Sequence, residues 1–174
     1  INKFTKVKVI NPPQNLGFAK ANNIAIKKAL ADGARNVILL NNDTIISPDF
    51  FRKISVFADS TPEIGLVSPK IYFAKGCEFR KKYKKSDLGR VIWYAGGEFD
   101  WDNIYPSHRG VDEVDIGQYD RIQATDFATG CAVLIKKEVF GKIGLFDEKF
   151  FSYYEDVDLS LKAKKNGFQV MYYP

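Results

Sequence analysis

Apolar positions along this chain recur at two spacings, and their alternation predicts an order of elements. Lys6 to Ile10 is short and β-branched, and Asn11, Pro12 and Pro13 break it, which predicts a strand entering a loop. From Gly17 to Ala31 the chain is rich in Ala, Ile and Lys. Phe18, Ala21, Ala25 and Ala29 fall at three- and four-residue spacings, and Gly33 supplies a stop, so a helix is predicted. Val37 to Leu40 reads as a buried strand, broken by Asn41, Asn42, Asp43 and Thr44. Ser47 and Pro48 then suit the N-cap and first residue of a second helix through about Ala58, and Gly65 to Ser68 reads as a further strand. Strand, helix, strand, helix, strand is the rhythm of an α/β fold whose mostly parallel sheet is covered on both faces. Ligands of such sheets collect at the carboxyl ends of the strands.

Residues 69–125 break that rhythm with a basic run, Gly96 and Gly97, two Trp and scattered turn residues. They are expected to form an insertion of short antiparallel strands. Regularity returns with an apolar strand from Phe127 to Ile135, containing Gly130, and a short helix from Lys137 to Ile143. The last segment is ambiguous by pattern, because Val157, Leu159, Leu161 and Ala163 alternate as a strand would. Charge decides for a helix: Glu155, Asp156 and Asp158 open the segment, Lys162, Lys164 and Lys165 close it, and Asn166 and Gly167 follow as a stop. Apolar residues on two sides of that helix predict burial against two neighbours.

A chain of 174 residues with 45% hydrophobic content fits one globular unit. Its aliphatic runs fall far short of the roughly 20 residues that a membrane-spanning helix requires. Cys77 and Cys131 lack metal-ligand spacing and suit a reducing compartment, hence the cytosol. The net charge of +5 is modest, yet Arg80, Lys81, Lys82, Lys84 and Lys85 place five cations in six positions. Such a run can meet anionic headgroups at the inner face of a membrane, nucleic acid or a phosphorylated substrate; more often it is a solvated loop.

Two acidic groups carry candidate chemistry. Asp43 stands directly after a strand, where a carboxylate projects into the ligand crevice and could hold a hard cation such as Mg²⁺ or Mn²⁺ with diphosphate oxygens completing the shell. Asn-Asn-Asp-Thr is equally good turn chemistry. Glu155, Asp156 and Asp158 crowd three carboxylates into four residues, which raises at least one pKa if they are partly buried and suits proton acceptance. The plain alternative is dipole complementarity at a helix start. His108, the one histidine, is expected to be structural or at the surface, and Trp93 and Trp101 to pack within the insertion rather than stack on a sugar.

Several stretches together resemble family 2 glycosyltransferases, in family order and over nearly the whole chain. They are Asn15-Leu16-Gly17-Phe18-Ala19-Lys20-Ala21-Asn22-Asn23, Leu39-Leu40-Asn41-Asn42-Asp43-Thr44, Ala95-Gly96-Gly97, His108-Arg109-Gly110, Gly117-Gln118-Tyr119-Asp120, Ala128-Thr129-Gly130-Cys131-Ala132, and Gly144-Leu145-Phe146-Asp147-Glu148 leading into Glu155-Asp156-Val157-Asp158-Leu159. The resemblance implies a GT-A fold and an inverting single displacement, with a hydroxyl of a glycan or lipid-linked sugar attacking the anomeric carbon of a nucleotide-diphosphate sugar. Asp43 matches the last acid of the DxD motif and would hold the metal. Asp156 matches the carboxylate that deprotonates the acceptor, with Glu155 orienting the acceptor or tuning its neighbour. Asn15, Gly17 and Asn22 match the segment that approaches the donor, Asn42 lies within the donor-side motif, and Gly130 leaves room for the donor sugar. The two asparagines would serve equally as helix caps, and Gly130 as a strand bend. The resembling subgroup transfers rhamnose in the making of surface polysaccharides, and nucleic acid is not an expected partner.

The chain departs from the pattern at Asn41, where the DxD motif begins with Asp, and at Lys162, where relatives often carry Arg and a bidentate fork. Ile1 corresponds to a point beyond the family's first strand, helix and strand, so the sequence reads as a partial GT-A domain and the isolated segment is expected to be inactive or poorly folded. Two rivals remain at this level. A sugar-nucleotide nucleotidyltransferase would want a glycine-rich basic phosphate loop, which is not visible. A non-catalytic module would use the basic run to bind an anionic surface.

Overall fold

A computed structural model describes residues 7–78 and 83–174. Its elements in chain order are α1 (Gly17–Ala31), β1 (Asn36–Leu40), α2 (Phe50–Ala58), β2 (Ile64–Pro69), β3 (Ile71–Tyr72), β4 (Ile92–Tyr94), β5 (Gly97–Asp100), β6 (Tyr105–His108), β7 (Gln123–Ala124), β8 (Ala132–Lys136), α3 (Lys137–Ile143), α4 (Glu155–Lys165) and β9 (Gln169–Tyr173). A five-stranded sheet in the order β1-β8-β2-β9-β7 forms the centre. β1, β2 and β9 run in one direction, and the pairing of β2 with β9 is parallel. The sheet is nevertheless mixed, because β8 runs against both β1 and β2 and β7 runs against β9. β8 enters from a long irregular segment, not from the crossover helix that usually joins parallel neighbours.

The strands alternate faces with period two. Val37, Leu39, Leu66, Val133, Ile135 and Val170 meet Ala19 and Ile26 of α1, Val139 and Phe140 of α3, and Leu159 and Ala163 of α4. Ile38, Val67, Leu134 and Met171 face the other way, onto Ile54 and Ala58 of α2. In α1 the buried residues Ala19, Asn23 and Ile26 are spaced four and three apart, which is one helical stripe. A third cluster joins Ile92, Tyr94, Ala95, Phe127 and Tyr172 to Val157 of α4, with Leu161 against it. The strand-like alternation in α4 is therefore a helix wedged between two apolar clusters, as its two apolar sides predict.

Three sequence expectations need correction. The strand expected over Lys6–Ile10 is not seen at Val7–Ile10, which are exposed and pair with no strand among the described residues; Lys6 lies outside them. Without a ladder partner, β-branched residues alone do not make a strand. The second helix begins at Phe50 with Asp49 in the cap position, because Ser47 C=O accepts the Phe50 N–H at 3.1 Å and closes a turn ahead of the helix. The strand expected over Phe127–Ile135 begins only at Ala132. Upstream of it, backbone donors are taken by α4 side chains, Ala128 N–H by Ser160 Oγ at 3.1 Å and Gly130 N–H by Asp156 Oδ2 at 2.8 Å.

Between Lys70 and Thr125 the chain forms the antiparallel pairs β3–β4 and β5–β6. Arg109 fastens the second pair to the sheet. Its Nε and Nη2 donate to Ala95 C=O at 2.9 and 2.5 Å, and its guanidinium lies 5.7 and 5.4 Å from the ring centres of Tyr119 and Tyr172. Trp101, expected to pack, is exposed at the hairpin tip and touches Phe99 with ring centroids 4.6 Å apart. Of the basic run, Arg80, Lys81 and Lys82 lie outside the described residues, and Lys84 and Lys85 are exposed. Among the described residues no helix is long and apolar enough to cross a membrane.

Candidate active site

The carboxyl end of β1 and the residues just before β8 meet at one edge of the sheet. Asn41 N–H donates to Cys131 C=O at 2.9 Å, and the Thr44 hydroxyl donates to Asn41 C=O at 2.7 Å, which folds residues 41–44 into a tight exposed turn. Asp43 sits in that turn beside Cys131: burial, then the Asp43 charge, pushes the thiol up to about 11. One residue earlier, Gly130 N–H donates to Asp156 Oδ2 at 2.8 Å, and Val157 N–H donates to Asp156 Oδ1 at 2.9 Å. The two carboxylates singled out from the sequence thus flank a single loop, Thr129 to Cys131. Asn42 is exposed in the same turn.

The residues expected on the donor side gather at the start of α1, whose Phe18 ring packs against this loop. Asn15 Oδ1 accepts the Gly17 N–H at 2.9 Å, satisfying a free donor at the start of α1, although Leu16 holds the cap position. Asn22 Nδ2 donates to Phe18 C=O at 2.9 Å within the helix. Gly17 has φ +75° and lies against Phe151, whose C=O accepts the Phe18 N–H at 2.8 Å. A Cβ on Gly130 would sit 2.8 Å from the Phe18 ring and 3.6 Å from Asp156 Oδ2, so Gly130 lets α1, the loop and α4 close on one another. The close approaches at both glycines are to protein.

Glu155 opens α4 with 5% of its surface exposed, and its Oε2 has no hydrogen-bond partner among the described residues. Burial, reinforced by the Asp156 charge, raises its pKa above the ordinary 4.5. A carboxyl raised in the folded state favours folding fully below 4.5, and that contribution is lost as pH climbs through the folded-state value. Glu155→Gln keeps the shape without ionising. We expect the wild-type melting temperature to fall relative to that of Glu155→Gln across this window. Parallel melting curves for the two proteins from pH 4 to 8 would contradict this account. Immediately before Glu155, Tyr153 and Tyr154 both take left-handed backbone angles, φ +73° and +68°.

On the α2 side, a cavity of about 840 Å³ opens beside Asp43, walled by Asn41, Phe50, Lys70, Tyr72 and Trp93 among others. Asp156 and Glu155 lie outside it. Sequence reasoning missed the ionic network on its wall. Lys70, with only 6% of its side chain exposed, binds Asp115 at 3.0 Å and also Asp120, and Tyr72 donates to Asp115. Burial alone would lower the Lys70 pKa, but the bonds to Asp120 and Asp115 outweigh it and hold it above the ordinary value. The available signal was the position of Lys70 just after β2, at the crevice end; nothing in the spacing paired it with Asp115.

The departures at Asn41 and Lys162 also find places. Asn41 contributes through its backbone to the turn, and Lys162 pairs with Asp158 at 2.7 Å, one helical turn away. Among the described residues no three His, Cys, Asp or Glu side chains gather as a protein cage for a metal ion.

A family profile described as Glycosyltransferase like family 2 matches residues 2–174. The chain belongs to this glycosyltransferase family. Among curated relatives, it is 24% identical over 157 residues to the low-salt glycan biosynthesis hexosyltransferase Agl10 of Haloferax volcanii, covering 90% of this chain and 46% of the relative. It is 25% identical over 174 residues to the dTDP-rhamnosyl transferase RfbF of Shigella flexneri, covering 97% and 50%. Against the N-acetylglucosaminyl-diphospho-decaprenol L-rhamnosyltransferase of Mycobacterium tuberculosis the identity is 26% over 188 residues, covering 100% and 58%. The chain spans about half the length of these relatives. Its fold is shared with GalNAc-T7, solved as a crystal structure with UDP, GalNAc and Mn²⁺, at a TM-score of 0.64 and 15% identity over 94% of this chain and 30% of that one. The α/β GT-A class expected from the sequence is the one observed.

Proposed function

We propose that this chain is part of an inverting glycosyltransferase that moves a sugar from a nucleotide-diphosphate donor to a hydroxyl of a glycan or lipid-linked acceptor. The observation that carries the proposal is the placement of Asp43 and Asp156 on either side of the Thr129–Cys131 loop, at the carboxyl end of the sheet. Asp156 accepts the proton of the acceptor hydroxyl, the oxygen bonds to the anomeric carbon, and the bond from that carbon to the diphosphate breaks, its electrons leaving with the diphosphate. Asp43 would hold Mg²⁺ or Mn²⁺, which when bound offsets the charge of the departing diphosphate. Asn15, Gly17, Asn22, Asn42 and Gly130 form the donor side, and Glu155, buried next to Asp156, orients the acceptor or tunes its neighbour.

The relatives' names favour rhamnose as the sugar, and the decaprenol-linked acceptor of one relative favours a cytosolic enzyme working at the inner face of a membrane. Residues 1–174 are read as part of a GT-A domain into which 69–125 is inserted. The test is to incubate the full-length protein with Mn²⁺ and a panel of nucleotide sugars led by dTDP-rhamnose. A transferase releases nucleoside diphosphate, whereas a nucleotidyltransferase consumes triphosphate or pyrophosphate. Asp43→Ala removes an exposed side chain and should leave the fold intact. We expect it to weaken Mn²⁺-dependent donor binding by more than about tenfold. Unchanged metal-dependent binding would remove Asp43 from this role.

A further inference from the structure

His108 ends β6 half-buried, its ring turned onto aromatic neighbours. Its ring meets Trp93 and Tyr94 edge-on, with centroids 4.4 and 5.1 Å away, and Phe127 at 5.9 Å. Nδ1 lies 3.2 Å from Trp93 C=O. A carbonyl can only accept, so Nδ1 carries the proton and Nε2 of the neutral ring keeps a lone pair. Nε2 has no partner among the described residues, and it is not among the side-chain atoms sealed from solvent without one. Burial lowers the pKa of the imidazole and favours this neutral form.

The surroundings connect the ring to Asp156 through shared neighbours. Tyr94 OH donates to Phe127 C=O at 2.7 Å, and Phe127 begins the stretch whose Gly130 N–H holds Asp156. Val157, the next residue after Asp156, packs in one cluster with Tyr94 and Phe127. The Asp156 charge acts on both His108 and Tyr94. Two acceptors, a carboxylate and a bare imidazole nitrogen, therefore belong to segments that pack on one apolar cluster. Such a pair is matched by a ligand rich in hydroxyl donors.

We infer that His108 is a sugar-binding residue: its Nε2 accepts a hydrogen bond from a hydroxyl of the sugar held beside Asp156, setting the orientation of that sugar. The inference rests on the transferase reading above. Two variants separate a binding role from a packing role, because the amide of Asn falls near Nδ1 and that of Gln near Nε2. His108→Asn keeps a donor for Trp93 C=O and loses the outer acceptor; His108→Gln restores an acceptor at the outer position.

The experiment uses the full-length protein, Mn²⁺ and the donor and acceptor pair found in the panel screen. It records melting temperature and, for each substrate, kcat and KM. We expect His108→Asn to melt within a few degrees of wild type yet lose about tenfold or more in kcat/KM for a sugar substrate, with His108→Gln within about threefold of wild type. The inference is overturned if His108→Asn transfers as well as wild type. It is overturned equally if activity follows melting temperature in both variants, since a packing role predicts that. If wild-type protein transfers no sugar from any donor, the transferase reading itself falls, and this inference with it.

Discussion

Asp156→Asn in the full-length protein is expected to lower sugar transfer by about 10³-fold while leaving donor binding intact, within the usual worth of a positioned general base. The substitution removes a proton acceptor with almost no change of shape. Asn still offers one oxygen to the Gly130 N–H, and the structural loss is one of two backbone contacts, about 1 to 2 kcal/mol. That is small against the stability of an ordinary domain. Donor affinity measured by calorimetry, alongside nucleoside diphosphate release with acceptor, separates the two effects. Transfer by Asp156→Asn within tenfold of wild type would show that the proton goes elsewhere. Loss of folding with the activity would show instead that Asp156 matters chiefly as the clamp on Gly130.

The largest expected effect on stability comes from Gly17→Ala. At φ +75° an L-residue is already strained, and the added Cβ would stand 2.3 Å from the Phe151 carbonyl oxygen and 2.8 Å from its ring. That oxygen cannot simply retreat, because it accepts the Phe18 N–H that anchors the first turn of α1. Strain, overlap and a lost hydrogen bond together should cost about 3 to 5 kcal/mol and lower the melting temperature by roughly 10 °C or more. Gly141→Ala is the control. It lies in α3, where an added Cβ meets nothing, and it should be neutral or stabilise by up to about 1 kcal/mol. If both variants melt alike, the contact with Phe151 is not what requires glycine at position 17.

Helices were the most legible part of this fold in the sequence, for reasons local to each. α1 runs from Gly17 to Ala31 and α3 from Lys137 to Ile143, where composition and stops place them, because their limits are set within the chain itself. In α4 the distribution of charge outweighed a misleading alternation of Val157, Leu159, Leu161 and Ala163. Strands were harder, since a strand exists only with its neighbour. Val7 to Ile10 has the composition and lacks a partner among the described residues, while Phe127 to Cys131 has the apolar character but donates the Ala128 and Gly130 N–H groups to α4.

The order β1-β8-β2 was invisible for the same reason, as nothing in β8 announces that it will run against both of its flanking strands. Asp43, Gly130 and Asp156 could be picked from the sequence through a resemblance; in the fold Asp156 accepts the Gly130 N–H and Asp43 lies beside the next residue, Cys131. Neither the Lys70–Asp115–Asp120 network nor the use of Gly17 against Phe151 could be picked, because each joins residues with no shared local pattern. His108 was expected to be structural or at the surface; the nitrogen it leaves without a partner among the described residues became visible only once Trp93 C=O was seen to fix the other one.

Tyr153 and Tyr154 hold consecutive positive-φ conformations that glycine would adopt freely and that cost a tyrosine about 1 to 3 kcal/mol each. Their rings do not recover this by burial, being 79% and 50% exposed. Folding alone therefore gives no reason for phenol rings at these two sites. A chain optimised only for durability would carry glycine there, and it would lose the two aromatic faces that this protein displays to solvent immediately ahead of its acidic helix start.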